Sequence, residues 1–396
     1  MKKRILIVGG GTAGTMTANN LAKKLMDEIN RDEIEILMLS NSSKHIYRPG
    51  AMYVAFHKSH GNEFVRDQRS LLMLEIDFIV DEVVEIKADQ NCVNTKSGKK
   101  YEYDYLVLAT GCELAPNRIP GLEEGGDWFY SLEGAKKIAK KFKDIKKGRV
   151  LITVSFPKSD NIPHQCGIAP VETTIMLHDY LTERGVRDDI EIIYTYPKNA
   201  QSMVDGLFLQ APTSKVLPSI FDGINVKYKK SFTLNKVDPK KKIAYSQEGE
   251  EIEFDILMAT PPFIAAKVIR DSGLSMAKDD EGWLPTDKHT LKVIGQENIY
   301  TLGDTVDLSV SKAGGTIHNQ TDIVADNIAA ELRYGYPTES YDGKVIAVAQ
   351  MGLTCGMPLW YDYEEDVQPT PCSKLGSFVR LGFNKGLYWA AARGMI

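Results

Sequence analysis

The sequence opens with Ile5-Leu6-Ile7-Val8-Gly9-Gly10-Gly11-Thr12-Ala13-Gly14, and this stretch decides the fold of the N-terminal part of the chain. Its apolar start is typical of a buried strand, a helical pattern follows the glycines, and a second apolar run at 34–39 completes a β-α-β unit. Gly9 allows the tight turn, Gly11 lets the backbone approach a pyrophosphate, and Gly14 lets helix and strand pack closely. Because the helix N-terminus then faces the phosphates, the stretch predicts a dinucleotide-binding fold.

Two later segments, 98–111 and 249–261, share spacing and residue class. Each runs from a glycine turn through charged residues into an apolar strand, at 105–108 and 256–258. We interpret them as the closing strands of two related α/β domains. The second domain is expected to contain a strand at 149–155, a helix at 170–184 and a strand at 191–196.

The composition narrows the function classes. The 396 residues carry a formal charge of −5 and are 43% hydrophobic and 26% charged, which is typical of a soluble globular protein and leaves no global basic field for nucleic acid. Five cysteines are too few for a disulfide scaffold. The apolar run after the first lysines is too short for a signal peptide, so a cytoplasmic protein without a transmembrane segment is expected.

A third motif extends the first domain. A short strand at 298–302 ends in Gly303-Asp304, and Gly314-Gly315 then precedes a helical pattern at 317–332. This arrangement resembles the two-domain flavoprotein disulfide-reductase superfamily, whose first domain is interrupted by the second. The resemblance implies that FAD is the cofactor, that Asp304 bonds its ribitol, and that the helix after Gly315 points at the flavin ring.

The resulting fold prediction is α/β, with two Rossmann-like (FAD/NAD(P)-binding) three-layer domains, the first interrupted by the second, and a C-terminal membrane-associating segment. The expected boundaries are 1–111 and 291–335 for the FAD-binding domain, 112–290 for the second domain, and 336–396 for the C-terminal region.

The second domain lacks a nicotinamide signature. Its first strand is followed at 156–167 by a polar segment with Pro157 and Pro163 in place of a glycine fingerprint. Prolines have no N–H to donate to a pyrophosphate, and we therefore discount NADH binding.

That segment ends in Cys166, directly before Gly167 and a predicted helix. A thiolate at a helix N-terminus is stabilised by the free N–H groups, although a buried structural cysteine would explain the position equally well. Residues 166–172, Cys-Gly-x-Ala-x-x-Glu, resemble the matching stretch of sulfide:quinone oxidoreductases and of flavocytochrome c sulfide dehydrogenases, including Glu172. The resemblance implies a redox nucleophile at Cys166 and a proton-handling role for Glu172.

Other positions resemble the same family. Ser40-Asn41 stands where a ribose-binding acid is more usual, Arg48-Pro49 resembles the turn that covers the flavin, and Lys312 lies where it could stabilise charge on reduced flavin. The predicted FAD contacts are Gly9, Gly11, Thr12, Ala13, Gly14, Ser40, Asn41, Arg48, Pro49, Val83, Ala109, Thr110, Gly111, Gly303, Asp304 and Gly315. No metal site is predicted.

The motifs leave two candidates for the second redox cysteine. The familiar bacterial position falls near Ala347, which holds no sulfur, and Cys355 follows a few residues later. We expect Cys355 to pair with Cys166, with Cys372 as the alternative partner. Cys112 follows Gly111 and could lie near the flavin.

The C-terminal segment 373–396 has four basic residues and no acidic residue among many aromatic side chains. Such a segment suits either an anionic membrane surface or packing on the protein's own core. The family resemblance implies a monotopic anchor that shapes the quinone pocket, with Phe378 and Phe383 as quinone contacts.

These features predict an FAD enzyme that oxidises sulfide to persulfide or polysulfide sulfur and passes electrons to a membrane quinone. The protein would lie peripherally on the cytoplasmic face of the membrane. The sequence is compatible with a monomer or a homo-oligomer. The alternatives are a flavocytochrome c-type sulfide dehydrogenase subunit, which the missing signal peptide disfavours, and a flavin-bound sensor or interaction protein without turnover.

Overall fold

The computed structural model describes residues 2–155, 168–197, 216–275, 281–308, 310–365 and 370–396. The first part of the chain contains β1 (Lys3–Val8), α1 (Thr12–Lys24), α2 (Met26–Asn30), β2 (Ile34–Ser40), β3 (Lys44–Ile46), α3 (Ala51–Ala55), β4 (Val65–Asp67), β5 (Ile76–Val80), β6 (Val83–Lys87), β7 (Cys92–Thr95), β8 (Lys100–Glu102) and β9 (Tyr105–Leu108). The middle contains β10 (Cys112–Leu114), α4 (Leu122–Gly125), α5 (Leu132–Asp144), β11 (Gly148–Val154), α6 (Ile168–Glu183), β12 (Ile190–Thr195), α7 (Val216–Gly223), β13 (Val226–Lys229), β14 (Leu234–Asp238), β15 (Ile243–Ser246), β16 (Glu251–Glu253), β17 (Ile256–Thr260), β18 (Phe263–Ala265) and α8 (Lys267–Arg270). The last part contains β19 (Ile299–Thr301), α9 (Gly314–Tyr334), β20 (Val345–Gln350), β21 (Gly356–Tyr361), α10 (Lys374–Gly382) and α11 (Tyr388–Ala392).

The first domain is built on a parallel sheet in the order β5-β2-β1-β9-β19. Strand β19 enters this sheet only after the chain has passed through the second domain, so the predicted interruption of the first domain is confirmed. Val8 lies beside Leu39 on one side and Leu108 on the other. The carboxyl ends of three strands therefore meet at the glycine turn, which is where doubly wound sheets bind ligands.

The second domain has its own parallel sheet in the order β13-β12-β11-β17. In both domains a three-stranded antiparallel sheet, β6-β7-β8 or β14-β15-β16, leads into the closing parallel strand. The two similar sequence segments, 98–111 and 249–261, therefore belong to a supersecondary unit that occurs once in each domain. The domain boundaries expected at 111, 290 and 335 stay predictions.

The apolar runs form strands because both faces of each parallel sheet are covered. Ile5, Leu6 and Ile7 are all fully buried, as near-continuous apolar runs in parallel sheets require. Each such side chain contributes about 1.5–3 kcal/mol through removal from water. The run is therefore a core strand, and the glycine loop that follows is held by the most buried part of the domain.

Two helices begin earlier than the sequence pattern indicated. Helix α6 begins at Ile168, so Pro170 lies in its first turn, where an N–H has no helical partner to lose. Helix α9 begins at Gly314 and not at Ile317. Both beginnings place helix N-termini close to the motifs that the sequence singled out.

The C-terminal segment forms helix α10, a π-helical turn at Phe383–Leu387 and helix α11 after the β20-β21 hairpin. Tyr388 and Ala392 are fully buried, whereas Leu375, Phe378 and Val379 are exposed. Packing on the protein's own core is therefore observed at one end of the segment, and the membrane-associating role of the exposed face stays a prediction. Across the described ranges, no helix has the length and apolar character needed to cross a membrane.

Candidate functional site

The glycine loop after β1 has the geometry of a phosphate cradle. Gly9 has φ +118°, and a Cβ at Gly9 would overlap the carbonyl of Ala109, so only glycine fits. A Cβ at Gly14 would overlap the Gly9 carbonyl, which keeps α1 close to the strand. Gly11 is different, because a Cβ there would meet nothing within 4 Å. Its open side is the place where a pyrophosphate can approach the first N–H groups of α1.

A second group of predicted residues gathers around the end of β9. Gly111 N donates to Thr305 Oγ1 at 3.0 Å, and the Thr110 and Thr305 hydroxyls lie 3.4 Å apart. Cys112 Sγ donates to the Asp304 carboxylate at 3.4 Å. Burial, with the Asp304 charge, raises the pKa of Cys112, so this sulfur is a neutral thiol and not a nucleophile at neutral pH.

Lys312 is buried beside this group. Its ammonium donates to the carbonyls of Asp304 at 2.6 Å and Val306 at 2.8 Å, and lies 3.6 Å from the ring centre of Trp283. Burial lowers the Lys312 pKa to about 8. The Lys312 side chain therefore fixes the turn that carries Asp304. It also places one titratable positive charge in this region, where it attracts negative charge on neighbouring groups.

The other predicted cofactor contacts border the same edge of the sheet or extend from it. Arg48 Nη1 donates to the Cys112 carbonyl at 3.4 Å, and Pro49 would lie 3.8 Å from a Cβ on Gly314. Ser40 ends β2, where its Oγ accepts from Ser42 N at 3.3 Å and crowds Gly10. Asn41 is exposed and Val83 is buried at the start of β6.

These residues fit FAD. An open cradle at Gly11 suits the pyrophosphate, and Asp304, just after strand β19, is only partly buried. Gly315 lies in the first turn of α9, against the Ile346 carbonyl. Thr12 and Ala13 open α1, while Gly303 has φ +74° and directs its N–H to Gln320 Oε1 at 2.8 Å. The roles of the individual residues stay predictions.

The cysteine arrangement differs from the expected pair. Cys355 is disulfide-bonded to Cys372 and not to Cys166. The physical reason is local, because Gly356 and Ser373 pair backbone to backbone, and each of them directly follows one of the two cysteines. Cys166 lies outside the described residues, so its own role stays a prediction.

Glu172 has a definite structural partner. It is 3% exposed, forms an ion pair with Arg380 of α10, and accepts Gln350 N at 2.5 Å. Burial alone would lower the Arg380 pKa, because it disfavours the charged guanidinium. The attraction of the Glu172 carboxylate is the larger effect, and the Arg380 pKa is raised. This geometry gives Glu172 a positioning role between helix α6, strand β20 and helix α10, and its proton-handling role stays a prediction.

The loop with Cys355 is also tied to α6. Leu353 N donates to Asp179 Oδ2 at 2.7 Å, and Met351 N donates to the Cys355 carbonyl at 2.8 Å, closing a tight turn. Helix α6 begins two residues after Cys166. The structure therefore joins the Cys355 loop firmly to the helix that follows Cys166.

The C-terminal segment reaches the cofactor loop through residues that sequence reasoning missed. Tyr388 OH lies 2.8 Å from Thr12 Oγ1 and 2.6 Å from His45 Nε2, and its ring stacks on Tyr47 with centres 3.7 Å apart. Burial lowers the His45 pKa to about 4, so the imidazole is neutral. Its Nδ1 lies 3.2 Å from Gln68 Oε1, which can only accept, so Nδ1 carries the hydrogen and Nε2 accepts from Tyr388. No periodic pattern marks a histidine and a tyrosine 343 residues apart as partners.

The two predicted quinone contacts have different surroundings. Phe383 is partly buried, with its ring centre 5.6 Å from that of His318 and 6.4 Å from that of Tyr388. Phe378 is 73% exposed on α10. Phe383 lies beside the first turns of α9, and Phe378 belongs to the open face.

The fold and cradle define a two-domain, FAD-binding oxidoreductase. In agreement, residues 3–153 match the family model described as "Pyridine nucleotide-disulphide oxidoreductase".

Within that class, the resemblance to sulfide:quinone oxidoreductases is confirmed. The chain is 29% identical to the mitochondrial sulfide:quinone oxidoreductase of Dictyostelium discoideum, over 86% of this chain and 73% of that protein. It is 25% identical to the sulfide-quinone reductase of Aquifex aeolicus, over 100% of this chain and 93% of that protein. The crystal structure of the sulfide:quinone oxidoreductase from Aquifex aeolicus superimposes with a TM-score of 0.86 at 23% identity, covering 99% of this chain and 92% of that chain.

Proposed function

We propose that the chain catalyses the FAD-dependent oxidation of sulfide and transfers the electrons to a quinone. FAD, when bound, would supply a two-electron carrier between sulfide and quinone. The relatives named above act on sulfide and quinone, which favours this reaction over the flavocytochrome-type alternative.

The observation that carries the proposal is the double anchoring of the β20-β21 hairpin. Gly315, at the start of α9, lies against the Ile346 carbonyl of β20, and Glu172 of α6 accepts from Gln350 at the other end of that strand. The hairpin that carries Cys355 thus lies between the helix end predicted to face the flavin and the helix that follows Cys166. This position of Cys355 supports a cysteine-mediated sulfide oxidation.

The chain's own residues would divide the work as follows. The glycine loop and Asp304 hold the cofactor, and the Lys312 charge favours added negative charge nearby. Hydrosulfide attacks an oxidised cysteine sulfur, leaving one persulfide and one thiolate. Cys166 and Cys355 are the proposed pair during turnover, which requires the Cys166 thiolate to displace Cys372 from the Cys355–Cys372 disulfide of the structure, leaving Cys372 as a thiolate. The Glu172–Arg380 ion pair fixes the hairpin on which Cys355 stands.

We also propose peripheral membrane binding through the C-terminal segment, on the cytoplasmic face. Its exposed apolar side chains are Leu375, Phe378, Val379, Leu387, Met395 and Ile396. Lys374 and Lys385 lie on the same segment, where they suit anionic headgroups. Quinone reaching Phe383 from the lipid would then approach the start of α9.

The test is an anaerobic titration of the yellow protein with sulfide and, in a separate cuvette, with NADH, each followed by a soluble quinone. Bleaching of the flavin by sulfide, with recovery on addition of quinone, supports the proposal. NADH is the informative rival donor because the chain is 26% identical, over 78% of its length and 55% of that protein's, to an external alternative NAD(P)H-ubiquinone oxidoreductase of Arabidopsis thaliana. Bleaching by NADH and not by sulfide would overturn the proposal.

A further inference from the structure

We propose that Cys372 is a resolving cysteine: its thiolate attacks the Cys355 sulfur and expels the sulfur chain that catalysis leaves there. The inference rests on the proposed sulfide oxidation and adds a third redox cysteine to it. Cys372 is bonded to Cys355 in the structure, and the two Cα atoms lie 5.7 Å apart.

Backbone contacts hold the two cysteines together independently of the disulfide. Gly356 N donates to the Ser373 carbonyl at 2.9 Å, and Ser373 N donates to the Gly356 carbonyl at 3.0 Å. A Cβ on Gly356 or on Gly376 would overlap the other residue's backbone, so a glycine pair sets this close approach. When the bond is open, Cys372 therefore stays within reach of Cys355.

The surroundings give the two sulfurs different tasks. Cys355 is partly buried in the loop anchored to α6, whereas Cys372 is exposed. Cys372 also comes just before Ser373, the N-cap of α10, whose side chain accepts from Gly376 N at 3.0 Å. A cysteine at a helix N-terminus has a larger thiolate fraction, which suits the attacking sulfur. The partly buried Cys355 suits the sulfur that carries the chain.

The step is a displacement without net oxidation. A chain on Cys355, Cys355–S–(S)n–H, reacts with the Cys372 thiolate; the bond between Cys355 Sγ and the chain breaks, a Cys355–Cys372 disulfide forms, and the hydropolysulfide anion leaves. For n of one the leaving group is hydrosulfide, so productive release needs a chain of two or more sulfurs. The disulfide in the structure is the product of this step.

The experiment starts from reduced holoprotein and does not depend on turnover. Protein treated with dithiothreitol and desalted without air is given inorganic polysulfide, alkylated at intervals and analysed by peptide mass spectrometry. In the unmodified protein we expect the Cys355–Cys372 disulfide to form as polysulfide is released. In Cys372→Ser we expect Cys355 to retain added sulfur atoms, with release slowed about tenfold or more.

The matched control is Cys92→Ala, which removes a buried cysteine of β7 and leaves the pair intact. If Cys372→Ser and Cys92→Ala release polysulfide at the same rate, without sulfur retained on Cys355, the inference is overturned. The Cys355–Cys372 disulfide would then have a structural role alone. The sulfide and NADH titration described above reports separately on the proposed function, since Cys372→Ser flavin should still bleach with sulfide.

Discussion

At the scale of single residues, the buried Lys312 ammonium is a group whose charge changes within the working pH range. Its pKa is lowered to about 8, so the charge is present below that pH and is lost as the pH rises through it. We predict that the flavin midpoint potential of the unmodified protein falls more steeply with pH above pH 8. Lys312→Met should have a lower midpoint potential at pH 7 and no change of slope near pH 8. Lys344→Met, at an exposed lysine, is the control. Identical pH profiles for both variants would contradict the role of Lys312.

The Glu172–Arg380 ion pair sets a second prediction at this scale. Arg380→Met leaves the buried Glu172 carboxylate without its cation, and breaking such a pair costs about 3–5 kcal/mol of unfolding free energy. The double variant with Glu172→Met removes the stranded charge and should be more stable than Arg380→Met alone. Denaturant unfolding of the two single variants and the double variant measures the coupling. Additive losses would mean that the pair does not act as a unit.

At the scale of elements, docking of helix α11 depends on the hydrogen bonds of Tyr388. Tyr388→Phe leaves buried His45 Nε2 without a donor, which should cost about 1–3 kcal/mol of unfolding free energy and weaken FAD retention through Thr12. Calorimetry and flavin fluorescence measure the two effects. Tyr336→Phe, at a 61% exposed tyrosine, is the control, and equal behaviour of both variants would contradict the link.

The same network predicts acid sensitivity. The His45 pKa is about 4 in the folded protein and near 6.5 when unfolded, so the stabilisation is full above pH 6.5 and is lost as the pH falls towards 4. The shift corresponds to about 3 kcal/mol. His45→Gln should show a flatter stability profile between those pH values in thermal unfolding. A parallel loss in both proteins would place the acid sensitivity elsewhere.

The sequence predicted the elements better than their contacts. Apolar runs mark the strands β1, β2, β9 and β19, and the Gly9–Gly14 spacing marks a tight turn. Both features are local along the chain and can therefore be predicted from the sequence. The Cys355–Cys372 bond and the His45–Tyr388 contact depend on how the C-terminal segment folds back on the first domain. Periodicity carries no information on such long-range pairs, and the motif around Cys355 pointed to Cys166 instead.

At the scale of the whole molecule, the open face of α10 is the proposed membrane anchor. Replacing Leu375 and Phe378 with serine removes two exposed apolar side chains without touching the core. We predict loss of cosedimentation with anionic vesicles and retained reaction with a soluble quinone. The matched control replaces exposed Leu74 with serine. Unchanged vesicle binding by the double variant would exclude this face as the anchor.

The measurement that tests the account most directly is rapid mixing of sulfide with oxidised protein, with Cys166→Ser, Cys355→Ser and Cys92→Ala compared under anaerobic conditions. The account predicts fast flavin bleaching in the unmodified protein and in Cys92→Ala, and bleaching lost in the other two variants. Their flavins should still be reduced by dithionite and reoxidised by quinone. Sulfide bleaching that survives in both Cys166→Ser and Cys355→Ser would contradict cysteine-mediated sulfide oxidation.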